Sequence, residues 1–186
     1  CAVAFGPEFY KKSHPKLAGV RDSKLLQPQQ RKKLAIELKN VPGFMFQVSC
    51  CSPAVIDKLN IYQASRRAMR RAVTKHVTCN IKHETKDAPC LKLHASRTVA
   101  LIDCPHKING LEMDQQAIVK GDQKIFAIAC ASILAKVYRA KLMRRMAKKY
   151  PGYGFEIHKG YGTAFHRRKI KELGLTPLHR RSFRVE

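Results

Sequence analysis

The run Val99-Ala100-Leu101-Ile102-Asp103-Cys104-Pro105, followed by Ala117-Ile118-Val119-Lys120-Gly121-Asp122, decides the fold. Four consecutive apolar residues ending at Asp103 read as an interior strand, because a strand covered on both faces has no polar alternation. Ala117-Ile118-Val119 repeats the pattern. Gly121-Asp122 then opens the longest helical stretch, Ile125 to about Lys149, rich in Ala, Ile and Leu early and in Lys and Arg late. Cations gathered toward a helix C-terminus suit the helix dipole. Both apolar runs thus deliver an aspartate to a strand end, where open α/β sheets place their ligands.

Outward from this stretch, elements alternate. Cys1 to Phe5 reads as a short strand stopped by Gly6-Pro7, and Phe44 to Cys50 as another after the Pro42-Gly43 turn. Pro28 suits the first turn of a helix reaching Asn40. Asn60 with Gln63 resembles a capping box ahead of Ile61, Ala64, Ala68, Met69 and Val73, which recur at helical spacing. Alternating strands and helices predict an α/β fold with a mixed central sheet and helices on both faces. Residues 1–149 form the expected core, with 74–98 as an insertion. Residues 150–186 form a basic loop and helix segment, helical near Ala164 to Leu173, that packs on the same domain.

The 186 residues carry 37 Lys+Arg against 13 Asp+Glu, a formal charge of +24. Charge of that size speaks of a polyanionic partner, nucleic acid first. From Lys120 onward lie 17 of the 37 basic residues but only 4 of the 13 acidic ones. An apolar fraction of 45% suffices for a core and excludes wholesale disorder. No apolar run approaches the length of a membrane span. Seven irregularly spaced cysteines argue for reduced thiols over a disulfide framework, and no signal-peptide pattern opens the chain, so a cytoplasmic monomer is expected.

In so acid-poor a chain, Asp103 and Asp122 stand out. Each has an ordinary reading: Asp103 as a cap for the Cys104-Pro105 turn, Asp122 as a partner of the helix N-terminus. Their pairing at successive strand ends has a chemical reading instead. Converging carboxylates hold hard divalent cations, which activate water and stabilise a phosphoryl transition state. Inside a basic surface, that combination suggests a nuclease.

Several motifs carry a closer resemblance. They are Asp22-Ser23-Lys24, Asn60-Ile61 leading to Ala68-Met69, Ile118-Val119-Lys120-Gly121-Asp122, and Ala131-Ser132-Ile133-Leu134-Ala135-Lys136-Val137. Tyr150-Pro151-Gly152-Tyr153-Gly154-Phe155, His158-Lys159-Gly160-Tyr161-Gly162-Thr163 and His179-Arg180-Arg181-Ser182-Phe183 follow in order. Nearly the whole chain resembles bacterial ribonuclease HII. The resemblance implies a ribonuclease H-like fold and hydrolysis of RNA paired with, or embedded in, DNA. It also implies Mn²⁺ or Mg²⁺ held by four carboxylates, and 3′-hydroxyl and 5′-phosphate ends.

Two of those carboxylates map onto Asp103 and Asp122. The other two belong to an Asp-Glu pair, followed by a Gly-Arg-Gly turn, that would precede Cys1. The 186 residues alone are therefore expected to be nearly inactive, with a non-catalytic nucleic-acid-binding protein as the alternative. Tyr161 matches the tyrosine that stacks on the sugar beside the scissile ribonucleotide. Lys24, Lys124, Lys159, Arg181 and Ser182 are the expected nucleic-acid contacts. Ile125, Ala140 and Cys104-Pro105 depart from the family pattern, which bears on catalysis more than on fold. His76, Cys79, His83, Cys90 and His94 are zinc-ligand types, but their irregular spacing gives no zinc pattern.

Overall fold

A computed structural model describes residues 1–82 and 98–183, with backbone alone for 79–82. Strand β1 (Ala2–Phe5) pairs antiparallel with β2 (Phe44–Gln47), while β3 (Val99–Ile102) pairs parallel with β4 (Asp114–Ala117). The pairing is mixed, as expected, but it forms two two-stranded ladders among the described residues. Helices α1 (Pro28–Lys39), α2 (Pro53–Leu59) and α3 (Ile61–Lys82) lie between β1 and β3 in sequence. The short α4 (Gly121–Lys124), the long α5 (Phe126–Lys149), α6 (Phe155–His158) and α7 (Ala164–Leu173) follow.

The first ladder organises the main core. Phe5, Leu34, Ala35, Leu38, Cys130, Ile133 and Leu134 are buried together, with Val3, Phe44 and Phe46 packed against them. Strand alternation explains why these residues share a face with α1 and α5. Helix α3 contacts both strands as well. Burial of Cys130 pushes its thiol up to about 12. Cys1, Cys50, Cys51, Cys104 and Cys130 are all free thiols.

Two strand expectations change. Val99 and Leu101 are 52% and 38% exposed, so β3 is covered on one face only among the described residues. The second strand begins three residues earlier than its apolar run. Asp114–Ala117 is polar because the Gln115 side chain faces a loop, donating to the carbonyls of Ile108 and Leu111 and accepting from the Ile108 amide. Ile118 continues the ladder by donating to the Ile102 carbonyl at 2.8 Å.

The predicted insertion begins as a continuation of α3, which runs to Lys82. His76 is buried in that helix, and burial lowers its pKa. His83, Cys90 and His94 lie outside the described residues, as does the Cys79 side chain. Past α5 a second cluster gathers Met143, Tyr153 and Phe155, with Tyr150, Ile170 and Leu178 against them, joining the C-terminal segment to that helix. No helix among the described residues is long and apolar enough to cross a membrane.

Candidate active site

Asp103 follows β3 directly, and its Oδ1 accepts the Gly121 amide at 2.9 Å. This bond ties the end of β3 to the start of α4. Gly121 is buried there, and a Cβ on it would lie 3.4 Å from Asp103 Oδ1 and 2.6 Å from Ile128 Cδ1. Glycine is thus favoured where the carboxylate crosses to α4. Lys120, just before, is left-handed at φ 56°, which turns the chain into the helix.

Asp122 is 7% exposed, and the Lys24 ammonium sits 3.7 Å from its Oδ2. The structure therefore ties Asp103 to Gly121, the residue before Asp122, and sets Lys24 against Asp122. Lys124 is exposed at the end of the same short helix.

Sequence reasoning missed the polar hub beside them. Asp22 is buried, accepts the Lys24 amide at 2.9 Å and takes Gln123 Nε2 at 3.1 Å. The Lys24 amide, followed by the Gln123 amide group and neighbouring lysines, holds the Asp22 carboxyl below the usual range. Ser23 is fully buried; its hydroxyl meets Ser132 Oγ at 2.7 Å and accepts from Lys136 Nζ. Arg31 donates to the carbonyls of Ser23, at 2.8 Å, and Leu26. Burial, then the nearby Lys24, lowers the Lys136 pKa, against the pull of Asp22 and Asp122. The Asp22-Ser23-Lys24 motif was visible in the sequence, but nothing local marked its first two side chains as buried.

Lys159 and Tyr161 occupy one turn after α6. Lys159 is left-handed at φ 52°, and its ammonium donates back to the Glu156 carbonyl. Burial and Arg144 lower its pKa. Arg139 donates to the Lys159 carbonyl at 2.9 Å and places its guanidinium 5.9 Å from the exposed Tyr161 ring.

Ser132, Lys136 and Arg139 lie at i, i+4 and i+7 on α5 and so share one face. Lys136 reaches the hub and Arg139 the Tyr161 turn, only about 4.5 Å apart along the axis. One helix face therefore links the polar hub to the turn. Arg181 and Ser182 are anchored to α2. Their amides each donate to Asp57 at 3.0 Å, and the Ser182 hydroxyl adds a bond of 2.6 Å. The Ser182 side chain, expected at nucleic acid, is engaged by a carboxylate on α2.

Asp103 and Asp122 supply oxygen donors of the kind a hard divalent ion takes. Among the described residues no group of three or more potential ligands forms. The donor set fits such an ion in type while falling short of a full protein shell. A cavity of about 520 Å³ beside α3 is lined by Cys50, Arg70, Arg71 and Lys75 and by none of the expected site residues.

The Ribonuclease HII family model matches residues 1–186, from end to end. The chain belongs to the ribonuclease HII family. Its mixed α/β architecture is accordingly that of a ribonuclease H-like fold. A Ribonuclease HII of Chlorobium phaeobacteroides is 38% identical over 185 residues, covering 100% of this chain and 81% of the relative. Those of Microcystis aeruginosa and Acaryochloris marina are 40% and 42% identical over 165 residues, 89% of this chain and 70% and 74% of theirs. This ribonuclease HII chain keeps Asp103 and Asp122 adjacent through Gly121 despite its Cys104-Pro105 turn.

Proposed function

We propose that the chain is a metal-dependent endonuclease that hydrolyses RNA paired with DNA, or ribonucleotides embedded in duplex DNA. The observation that carries this reading is the shared face of α5, which reaches Ser23 in the polar hub beside Asp122 and the Tyr161 turn three residues apart. Family membership and the relatives' names support the ribonuclease class. Residues 1–149 and 150–186 then act as one domain, with the basic segment flanking the site.

Asp103 and Asp122 would hold Mn²⁺ or Mg²⁺, which when bound supplies Lewis-acid stabilisation of the phosphoryl transition state. The residues of the chain do the rest. Lys24 lies against Asp122 and meets an incoming phosphate with positive charge. Lys124, Lys159 and Arg181 extend that field along the duplex. Tyr161 presents an exposed ring, an apolar plate on which the sugar beside the ribonucleotide can stack. The products would be 3′-hydroxyl and 5′-phosphate ends, and the setting a cytoplasmic monomer.

A labelled DNA duplex with one internal ribonucleotide tests the reading. With Mn²⁺ or Mg²⁺, incision at the ribonucleotide is expected, and abolished by Asp122→Asn. Preferential binding of that duplex without incision at any metal concentration would instead favour a nucleic-acid-binding protein without hydrolysis.

A further inference from the structure

Three histidines lie behind the Tyr161 turn, two of them in a chain of hydrogen bonds, and the ring protons of all three can be placed. The Thr176 amide donates to His179 Nδ1 at 2.8 Å, and the Thr176 hydroxyl lies 2.9 Å from the same nitrogen. A nitrogen that accepts carries no proton, so neutral His179 is protonated at Nε2. Its Nε2 is 3.1 Å from His166 Nε2. His179 therefore donates and His166 accepts, which leaves the His166 proton on Nδ1. That nitrogen lies 2.9 Å from the Tyr161 carbonyl and donates to it.

The third ring obeys the same logic. The Gly160 amide donates to His158 Nδ1 at 3.1 Å, so His158 Nε2 donates to the Tyr153 carbonyl at 2.8 Å. His158 also stacks on His166, ring centroids 4.1 Å apart. The Tyr161 amide donates to the His158 carbonyl, and the Thr163 amide to the Tyr161 carbonyl. The backbone of the turn is thus gripped on its inner side while the phenol ring is left 66% exposed.

We infer that His158, His166 and His179 are positioning residues: one fixed set of neutral tautomers latches the Lys159–Tyr161 turn, and acid unlatches it. An added proton on His166 would set its Nε2–H against the Nε2–H of His179. An added proton on His179 or His158 would oppose the amide of Thr176 or Gly160. His158 and His166 are buried, so water cannot easily replace the lost partners. Burial, and then the neighbouring imidazoles, favour the neutral forms of His166 and His179.

The charged groups on surrounding elements are Arg139 and Arg144 of α5, Glu156 of α6 and Lys159 of the turn. Arg167, Arg168, Lys169, Lys171 and Glu172 of α7 and Arg180 and Arg181 of the C-terminal segment follow. Among these Glu156 and Glu172 favour a charged imidazole, and Glu172 is already paired with Arg168 and Lys169. The functional consequence rests on the reading that Tyr161 stacks beside the ribonucleotide.

The measured quantity is the ratio of Kd for an all-DNA duplex to Kd for the same duplex with one ribonucleotide. The ratio removes the general gain in polyanion binding that acid brings. Between about pH 8 and about pH 5 it should fall about fivefold, the effect of one lost hydrogen bond. His166→Phe keeps the ring packing but has no donor, and should lose the preference at every pH. His166→Asn retains an N–H toward Tyr161 and cannot take up a proton in this range; it should keep the preference and lose the His166 share of the acid response.

A folded His166→Phe protein with its preference intact overturns the latch. Nitrogen-15 NMR of the unmodified chain supplies an independent arm, decisive also if His166→Phe does not fold. His166 should be the Nδ1–H tautomer and His158 and His179 the Nε2–H tautomers, with the Tyr161 amide titrating at the His166 midpoint. Another tautomer set, or an indifferent Tyr161 amide, overturns the proposal. If the NMR result holds while Tyr161→Ala leaves the preference unchanged, the latch stands and the assigned role of Tyr161 fails.

Discussion

Gly121 shows how little room the candidate site leaves. Its amide holds Asp103 and its missing side chain leaves space for Ile128. In Gly121→Ala the new methyl meets the Ile128 δ-methyl at 2.6 Å. That methyl ends a flexible side chain, so the conflict is relieved by a turn of Ile128 at about 1 kcal/mol, or about 2–4 °C in Tm. Asp103 should shift as well, so Mn²⁺ affinity should fall further than thermal stability suggests. Calorimetric melting and Mn²⁺ titration together check both effects. At this scale Asp103 stood out because an apolar run ends at it, and Asp122 because it follows another and precedes the long helix. Asp22 and Ser23 were not, because a loop has no period to reveal which polar side chains turn inward.

The elements tell a similar story with different failures. Helix α7 was found with its observed limits, because Thr163 caps it and Gly174 ends it. Strand β4 was misplaced because its polar residues serve the 108–111 loop, a tertiary demand that periodicity does not carry. The clamp from Asp57 on α2 to Arg181 and Ser182 was invisible, since 124 residues separate its ends. Hydrogen bonds from the Ser182 hydroxyl and amide and the Arg181 amide hold the Asp57 carboxyl below the usual range. A lowered folded-state pKa means the clamp is complete above the ordinary carboxylate value and is lost as pH falls through the lowered one. Asp57→Ala should release the C-terminal segment at neutral pH while leaving the core intact. Trypsin should then cut after Arg180 and Arg181 sooner, with little change in far-ultraviolet circular dichroism. Unchanged cleavage would show that other contacts secure the segment.

For the whole molecule, the +24 charge predicts the form of duplex binding more than its strength. Each phosphate neutralised should add about −0.9 to the slope of log K against log salt concentration. Lys124→Ala should reduce the slope magnitude by about one if Lys124 meets a phosphate, and equally for hybrid and all-DNA duplexes. Fluorescence anisotropy across a salt series reads this directly; an unchanged slope removes Lys124 from the interface. Composition revealed the polyanionic partner class. It could not show that positive charge also lines the α3 cavity through Arg70, Arg71 and Lys75, because only folding brings that helix against the end of β2.

Lys120 and Lys159 share one more property, the left-handed backbone each adopts just before or after a short helix. Any residue with a Cβ loses about 1–2 kcal/mol in that conformation, and glycine would lose nothing. A glycine at either position would relax the chain and erase a cation. The fold thus retains local strain at two lysines, and at Lys159 the strained residue belongs to the turn that carries Tyr161. Robustness to heat and retention of positive charge pull in opposite directions at these two positions.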